Sequence, residues 1–218
     1  MPTAREALLD AARAALTARP WTAVRMVDVA AAAGVSRQTL HNEFGGKDGL
    51  ARALVRRAAD GYLAGVERAL GTAGGTGDKL AATAAWTVRA TRKDELVRGL
   101  LTGCWEDRLP HPPGALGPAR RRADAGPPTP AELLGQAGDR VVAALDDAGG
   151  PPRDPAALAA TCELVLRLAL SYALVPPSPG TPEDGTPEDG VPLVRDVVER
   201  AVGAAAGTGR GATGAEAT

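Results

Sequence analysis

Met26 to Phe44, reading MVDVAAAAGVSRQTLHNEF, sets two short helical stretches around a single glycine, and this arrangement decides the fold. In the first stretch Val29, Ala30 and Ala33 recur at helical spacing, giving a narrow face of small side chains that another helix can approach closely. Gly34 supplies the positive φ that a chain leaving a helix often needs, and Val35 beside it can plug the corner. Ser36 restarts the chain, its hydroxyl suited to accept from the orphan N–H groups of the next turn. Leu40 and Phe44, four apart, form the inward stripe of the second helix. Outward lie Arg37, Gln38, Thr39, His41 and Asn42, all able to hydrogen-bond to base edges or phosphates. The segment therefore predicts a helix-turn-helix that reads DNA. The competing reading is an ordinary αα-hairpin corner in a helical scaffold that binds protein.

The flanks favour the DNA-reading arrangement. Upstream, Leu8, Ala11, Ala12, Ala15 and Leu16 describe an amphipathic first helix, followed by Pro20 and Trp21. Downstream, Gly45 and Gly46 make a tight turn, and Lys47 opens a long helical stretch containing Leu50, Leu54, Tyr62, Val66 and Leu70. A cation at a helix start opposes the macrodipole, so an external phosphate would account for Lys47. Glu43 would repel that phosphate and is expected to turn toward an arginine on a neighbouring helix.

From Arg5 to Leu54, and most closely in VDVAAAAGVSRQTLHNEFGGKDGLARAL, the chain resembles the tetracycline-repressor (TetR) family of bacterial regulators. The resemblance implies an all-α protein: a three-helix head that binds operator DNA, and a divergent helical body that binds a small molecule and forms a homodimer. It implies that Ser36, Arg37, Gln38, Thr39 and Asn42 face the major groove and that Lys47 touches phosphate. His41 stands where the family has a phosphate-contacting tyrosine, and Arg25 where a serine or threonine usually caps the second helix. Both can still contact phosphate, but the capping bond at residue 25 is lost. His41 can also be read as a surface imidazole packed on its helix. The stretch QTLHNEFGGKDGLA resembles a branch of the family associated with alkane or fatty-acid metabolism, which hints at an acyl or other hydrophobic ligand.

Whole-chain charge conceals an asymmetry. Residues 1–70 hold ten Lys or Arg against seven Asp or Glu, a balance of +3, so the remainder carries −4 to reach the net −1. A basic head on an acidic body suits a protein that binds DNA at one end. At 218 residues and 44% hydrophobic the chain can bury a core. No apolar run is expected to reach the ~20 residues that span a bilayer, and the start lacks a signal-peptide pattern, so a cytoplasmic location is expected. Cys104 and Cys162 lack metal-ligand spacing and are expected to be buried reduced thiols, with no metal and no cofactor. An enzyme is not expected: there is no glycine-rich phosphate loop and no Gly-x-Ser-x-Gly elbow, and the two histidines are His41 and His111, the latter in a proline-rich loop.

Beyond the head (1–50) the body (51–206) reads as helices over Asp78–Arg92, Asp94–Cys104, Pro130–Ala148, Pro155–Val175 and Val191–Ala206, and residues 207–218 read as a disordered tail. The helix from Pro155 carries apolar residues on almost every side and is expected to be buried all round. With the last helix it would build a dimer interface from Leu158, Cys162, Val165, Ala169, Tyr172, Val194, Val197, Val198 and Ala201. A dimer would make the target a palindrome with half-sites about one helical turn apart. Trp86, Leu100, Cys104, Trp105, Leu133 and Val141 are candidates to line a ligand pocket, with Arg89 or Glu163 as its polar handle; all could equally be plain core.

Overall fold

The computed structural model describes residues 3–72, 74–110, 126–146 and 155–175. Among them the secondary structure is entirely helical: α1 (Ala4–Ala18), a 3₁₀ turn (Trp21–Ala23), α2 (Met26–Ala32), α3 (Arg37–Phe44), α4 (Lys47–Thr72), α5 (Thr76–Lys93), α6 (Glu95–Thr102), α7 (Pro130–Asp146) and α8 (Pro155–Leu174). The expected helix over 191–206, the tail at 207–218, and Val194, Val197, Val198, Ala201 and His111 lie outside the described residues.

The chain divides into two compact units, which are not simply consecutive in sequence. The first joins residues up to Gly61 with Glu95–Leu133; the second joins Tyr62–Asp94 with the described residues from Leu134 onward.

In the first unit α1 begins with a reciprocal cap. The Thr3 hydroxyl accepts from the Glu6 N–H at 3.2 Å, and the Glu6 carboxylate accepts from the Thr3 N–H at 2.7 Å. Those bonds from Thr3 hold the Glu6 carboxyl below its ordinary range. Leu8, Leu9, Ala12 and Leu16 form the buried face of α1, which packs on α2 and α3. α6 and the segment after it belong to this same unit. The Arg108 carbonyl accepts from the Trp21 N–H at 2.7 Å, and the Arg108 guanidinium donates to the Leu16 carbonyl at 3.1 Å and to Glu95 at 3.3 Å. One arginine thus satisfies an orphan carbonyl near the end of α1 and an N–H at the start of the 3₁₀ turn.

In the second unit α5 packs against α8. A row of hydroxyls, Thr83, Thr87 and Thr91, is buried on α5, and each donates to the carbonyl four residues back at 2.7–2.9 Å. The Tyr62 hydroxyl joins Thr87 at 3.0 Å, so the buried polar groups pair among themselves. Gly65 allows the closest approach: a Cβ there would overlap the Trp86 ring. The indole N–H of Trp86 donates to the Tyr62 carbonyl at 3.0 Å.

The structure corrects the reading of α8 as buried all round. Leu158, Cys162, Val165, Leu166, Ala169 and Leu170 are buried, but Leu164 and Leu174 are 48% and 50% exposed. Its 20 residues also suffice, by length and composition, to cross a bilayer, against the expectation that no run would. Within that run Glu163 and Arg167 pair at 2.7 Å on the exposed side, and each charge would cost about 3 kcal/mol at a bilayer centre.

Candidate nucleic-acid interface

The turn between α2 and α3 forms through its own backbone. Gly34 sits at φ +68, its N–H donates to the Ala31 carbonyl at 3.1 Å, and the Val35 N–H donates to the Ala30 carbonyl at 3.0 Å. This double closure of the last turn of α2 requires a left-handed residue at 34, which glycine adopts without a Cβ clash. Ser36 then caps α3. Its Oγ accepts from the Thr39 N–H at 3.0 Å and lies 2.8 Å from the Thr39 hydroxyl. Leu40 and Phe44 are buried at 1% and 8% exposure, fixing the helix phase.

That phase leaves Arg37, Gln38, His41 and Asn42 exposed and Thr39 half-buried. Gln38 Nε2 donates to Asn42 Oδ1 at 2.8 Å, one turn along. His41 lies in the last turn of α3, where a positive charge would favour the carbonyl end of the helix. Ser36 and Thr39 use their hydroxyls on each other and on the cap, so of the expected groove-facing residues these two also hold the helix start together.

Arg25 occupies the N-cap position of α2 and makes no capping bond there. Instead its Nε and Nη2 both donate to Asp28 at 3.1 Å, and Arg19 reaches the same carboxylate at 3.3 Å. The hydrogen bonds from Arg25 hold the Asp28 carboxyl below its usual value, and the same pair raises the Arg25 guanidinium. Lys47 has a partner inside the unit: Nζ donates to the Thr22 carbonyl at 3.1 Å and lies 5.6 Å from the Trp21 ring centroid. An external phosphate is therefore not required to account for a cation at that helix start.

Glu43 turns away as expected, and its partner is Arg5 on α1, 3.6 Å from the carboxylate. Arg5 also donates to the Glu43 carbonyl at 3.3 Å and stacks over the Phe44 ring at 4.6 Å. Sequence spacing did not single out Arg5, Arg19 or Arg108. Their partners lie 9 to 92 residues away in the chain, beyond the reach of helical periodicity.

The expected ligand-pocket residues divide between the units. Leu100 and Leu133 are buried in the first, where the Trp105 ring packs over Gly99, whereas Cys104 is exposed. This corrects the expectation that both cysteines are buried. Cys162 alone is, and burial pushes its thiol up to about 11. In the second unit Val141 is buried and Trp86 half-buried, but Arg89 and Glu163 are exposed. Both lie outside because the helix phase that buries Val88 and Cys162 turns positions 89 and 163 about 100° away. Leu158, Cys162, Val165 and Ala169, expected at a dimer interface, are already buried within the single chain, while Tyr172 is half-buried and lies under Arg92 at 5.1 Å.

Residues 8–54 match the family model described as bacterial regulatory proteins, tetR family. Over 66 residues, 30% of this chain and 31% of the relative, the chain is 47% identical to the HTH-type transcriptional regulator AlkX of Mycobacterium tuberculosis. Over 70 residues, 32% of this chain and 36% of the relative, it is 44% identical to the HTH-type transcriptional repressor LfrR of Mycolicibacterium smegmatis. The matched stretch thus spans about a third of the length of either curated relative. A crystal structure of a tetR-family transcriptional regulator from Streptomyces coelicolor superposes with a TM-score of 0.52 at 18% identity, covering 93% of this chain and 81% of the other. That superposition shows a shared fold, and the family-model match falls on the head and the start of α4.

Proposed function

We propose that this chain, whose residues 8–54 match the tetR family model, is a homodimeric transcriptional regulator of that family that binds a palindromic operator and is released by a small molecule held in its helical body. The observation that carries this reading is α3. Its inner face is buried through Leu40 and Phe44, and its outer face presents Arg37, Gln38, His41 and Asn42 within a segment that matches the family model. Arg25, beside Arg19 on Asp28, and Lys47 supply cations for phosphate at the two ends of that surface. Repression is the direction we assign, after the repressor LfrR.

A homodimer would use the outer face of α8, with Leu164, Leu174 and Val175, since the inner face is covered. The ligand would be apolar, because the buried residues of the second unit are largely aliphatic and their few hydroxyls are already paired. Such a regulator works in the cytoplasm with the chromosome, and we propose no catalytic activity. The test is selection of binding sites from a random duplex library, followed by anisotropy titration of the winning duplex. Wild-type protein should enrich a palindrome, and Arg37→Ala should lose affinity with its helical circular dichroism intact. Undiminished binding by that variant would remove α3 as the reading helix.

A further inference from the structure

Gln38 and Asn42 stand one turn apart on the exposed face of α3, joined by a 2.8 Å hydrogen bond between their amides. An amide held in this way has used one N–H. The other N–H and the carbonyl oxygen of Gln38 remain, side by side in one plane. Turning both amides over reverses the bond and leaves Gln38 with both N–H donors and one carbonyl lone pair, so a donor and an acceptor still stand side by side at its tip.

The major-groove edges of the four bases respond differently to such a tip. Adenine offers an N6–H donor next to the N7 acceptor, which a paired acceptor and donor match with two bonds. Guanine offers two acceptors, cytosine a donor alone, and thymine an acceptor beside a methyl group; each meets only half of it. Gln38 is the better placed of the two amides, being one turn nearer the helix start, where recognition helices contact bases, and having the longer side chain. Holding a rotamer-rich side chain before binding also lowers the ordering cost on contact.

We infer that Gln38 reads an adenine at a fixed position in each operator half-site, and that Asn42 is a positioning residue that holds the Gln38 amide in the plane of that base. The inference rests on the proposed DNA-reading function. It is tested by selecting sites from a random duplex library with wild-type protein, Gln38→Ala and Asn42→Ala, each first shown by circular dichroism to be folded. Wild type should enrich a palindrome with adenine at one symmetric position. Gln38→Ala should enrich the same palindrome with that position alone degenerate, and Asn42→Ala should blur the same position less sharply. Replacing that adenine with 7-deazaadenine, which lacks the N7 acceptor, should weaken wild type about tenfold and leave Gln38→Ala within about twofold. A palindrome whose base preferences are the same for wild type and Gln38→Ala, or one that loses a base other than adenine, overturns the inference and leaves the regulator intact. Folded wild-type protein that enriches no palindrome overturns the DNA-reading function, and the inference with it.

Discussion

Two glycines one turn apart on α4, Gly61 and Gly65, should respond to the same substitution with opposite signs. A Cβ at Gly61 meets nothing within 4 Å, whereas one at Gly65 would overlap the Trp86 ring. Alanine in a helix interior is favoured over glycine by about 1 kcal/mol, because it restricts the unfolded chain. Gly61→Ala should therefore stabilise the protein by up to about 1 kcal/mol. At Gly65 the same gain is opposed by overpacking of about 1–3 kcal/mol. The ring must also move away from the Tyr62 carbonyl, forfeiting a hydrogen bond worth about 1 kcal/mol and the contact beneath Arg68. The balance for Gly65→Ala is a loss of about 1–3 kcal/mol. Urea denaturation followed by circular dichroism, with tryptophan emission as a second probe, measures both variants against wild type. Gly65→Ala as stable as Gly61→Ala would refute the close packing of Trp86 on α4.

Ser36→Ala removes the acceptor of the Thr39 N–H and should cost about 1 kcal/mol of stability, while Ser36→Asp, which can cap in the same way, should retain most of it; equal loss in both would argue against capping as the role of Ser36. Burial pushes the Tyr62 phenol up to about 12 against the downward pull of its Thr87 bond, so the folded state holds this proton where the unfolded chain, near 10, has released it. The stability this contributes is complete below the unfolded value and is lost as pH rises toward the folded one, an alkaline decline of about 3 kcal/mol. Stability measured against pH should show that decline flattened in Tyr62→Phe; an identical alkaline limb in both proteins would contradict the burial.

Much of the head was legible because its determinants are local. Gly34, Ser36, Leu40 and Phe44 act within a few residues of one another, through a left-handed corner, a cap and a helical stripe, and each does so in the structure. The departure at Arg25 was equally local: a residue without a short acceptor cannot cap, and the guanidinium takes Asp28 instead. The intramolecular partner of Lys47, the Thr22 carbonyl, was not legible because it is 25 residues back and belongs to a backbone path that periodicity does not describe. Arg108 reaches the end of α1 across 92 residues, and nothing near either position announces it.

The body separates the two kinds of information more sharply. By itself the sequence determined that the described segments are helices, that α3 has a polar outer face, and that the apolar residues of α7 recur through Leu133, Ala137, Val141 and Leu145, all of which are buried. Only the tertiary structure decided which side of α8 is covered. Leu158, Cys162, Val165 and Ala169 share one face at four-three spacing, but leucines occupy the remaining sides, so the sequence leaves open what covers that face; in the structure α8 packs against α5 with Cys162 and Val165 buried and Leu164 and Glu163 outside. The Trp86 ring on Gly65 and the Tyr62–Thr87 bond were likewise decided in three dimensions. Periodicity states which residues share a face, whereas burial depends on which other helix arrives there, and a helix apolar on all sides leaves that choice to its neighbours.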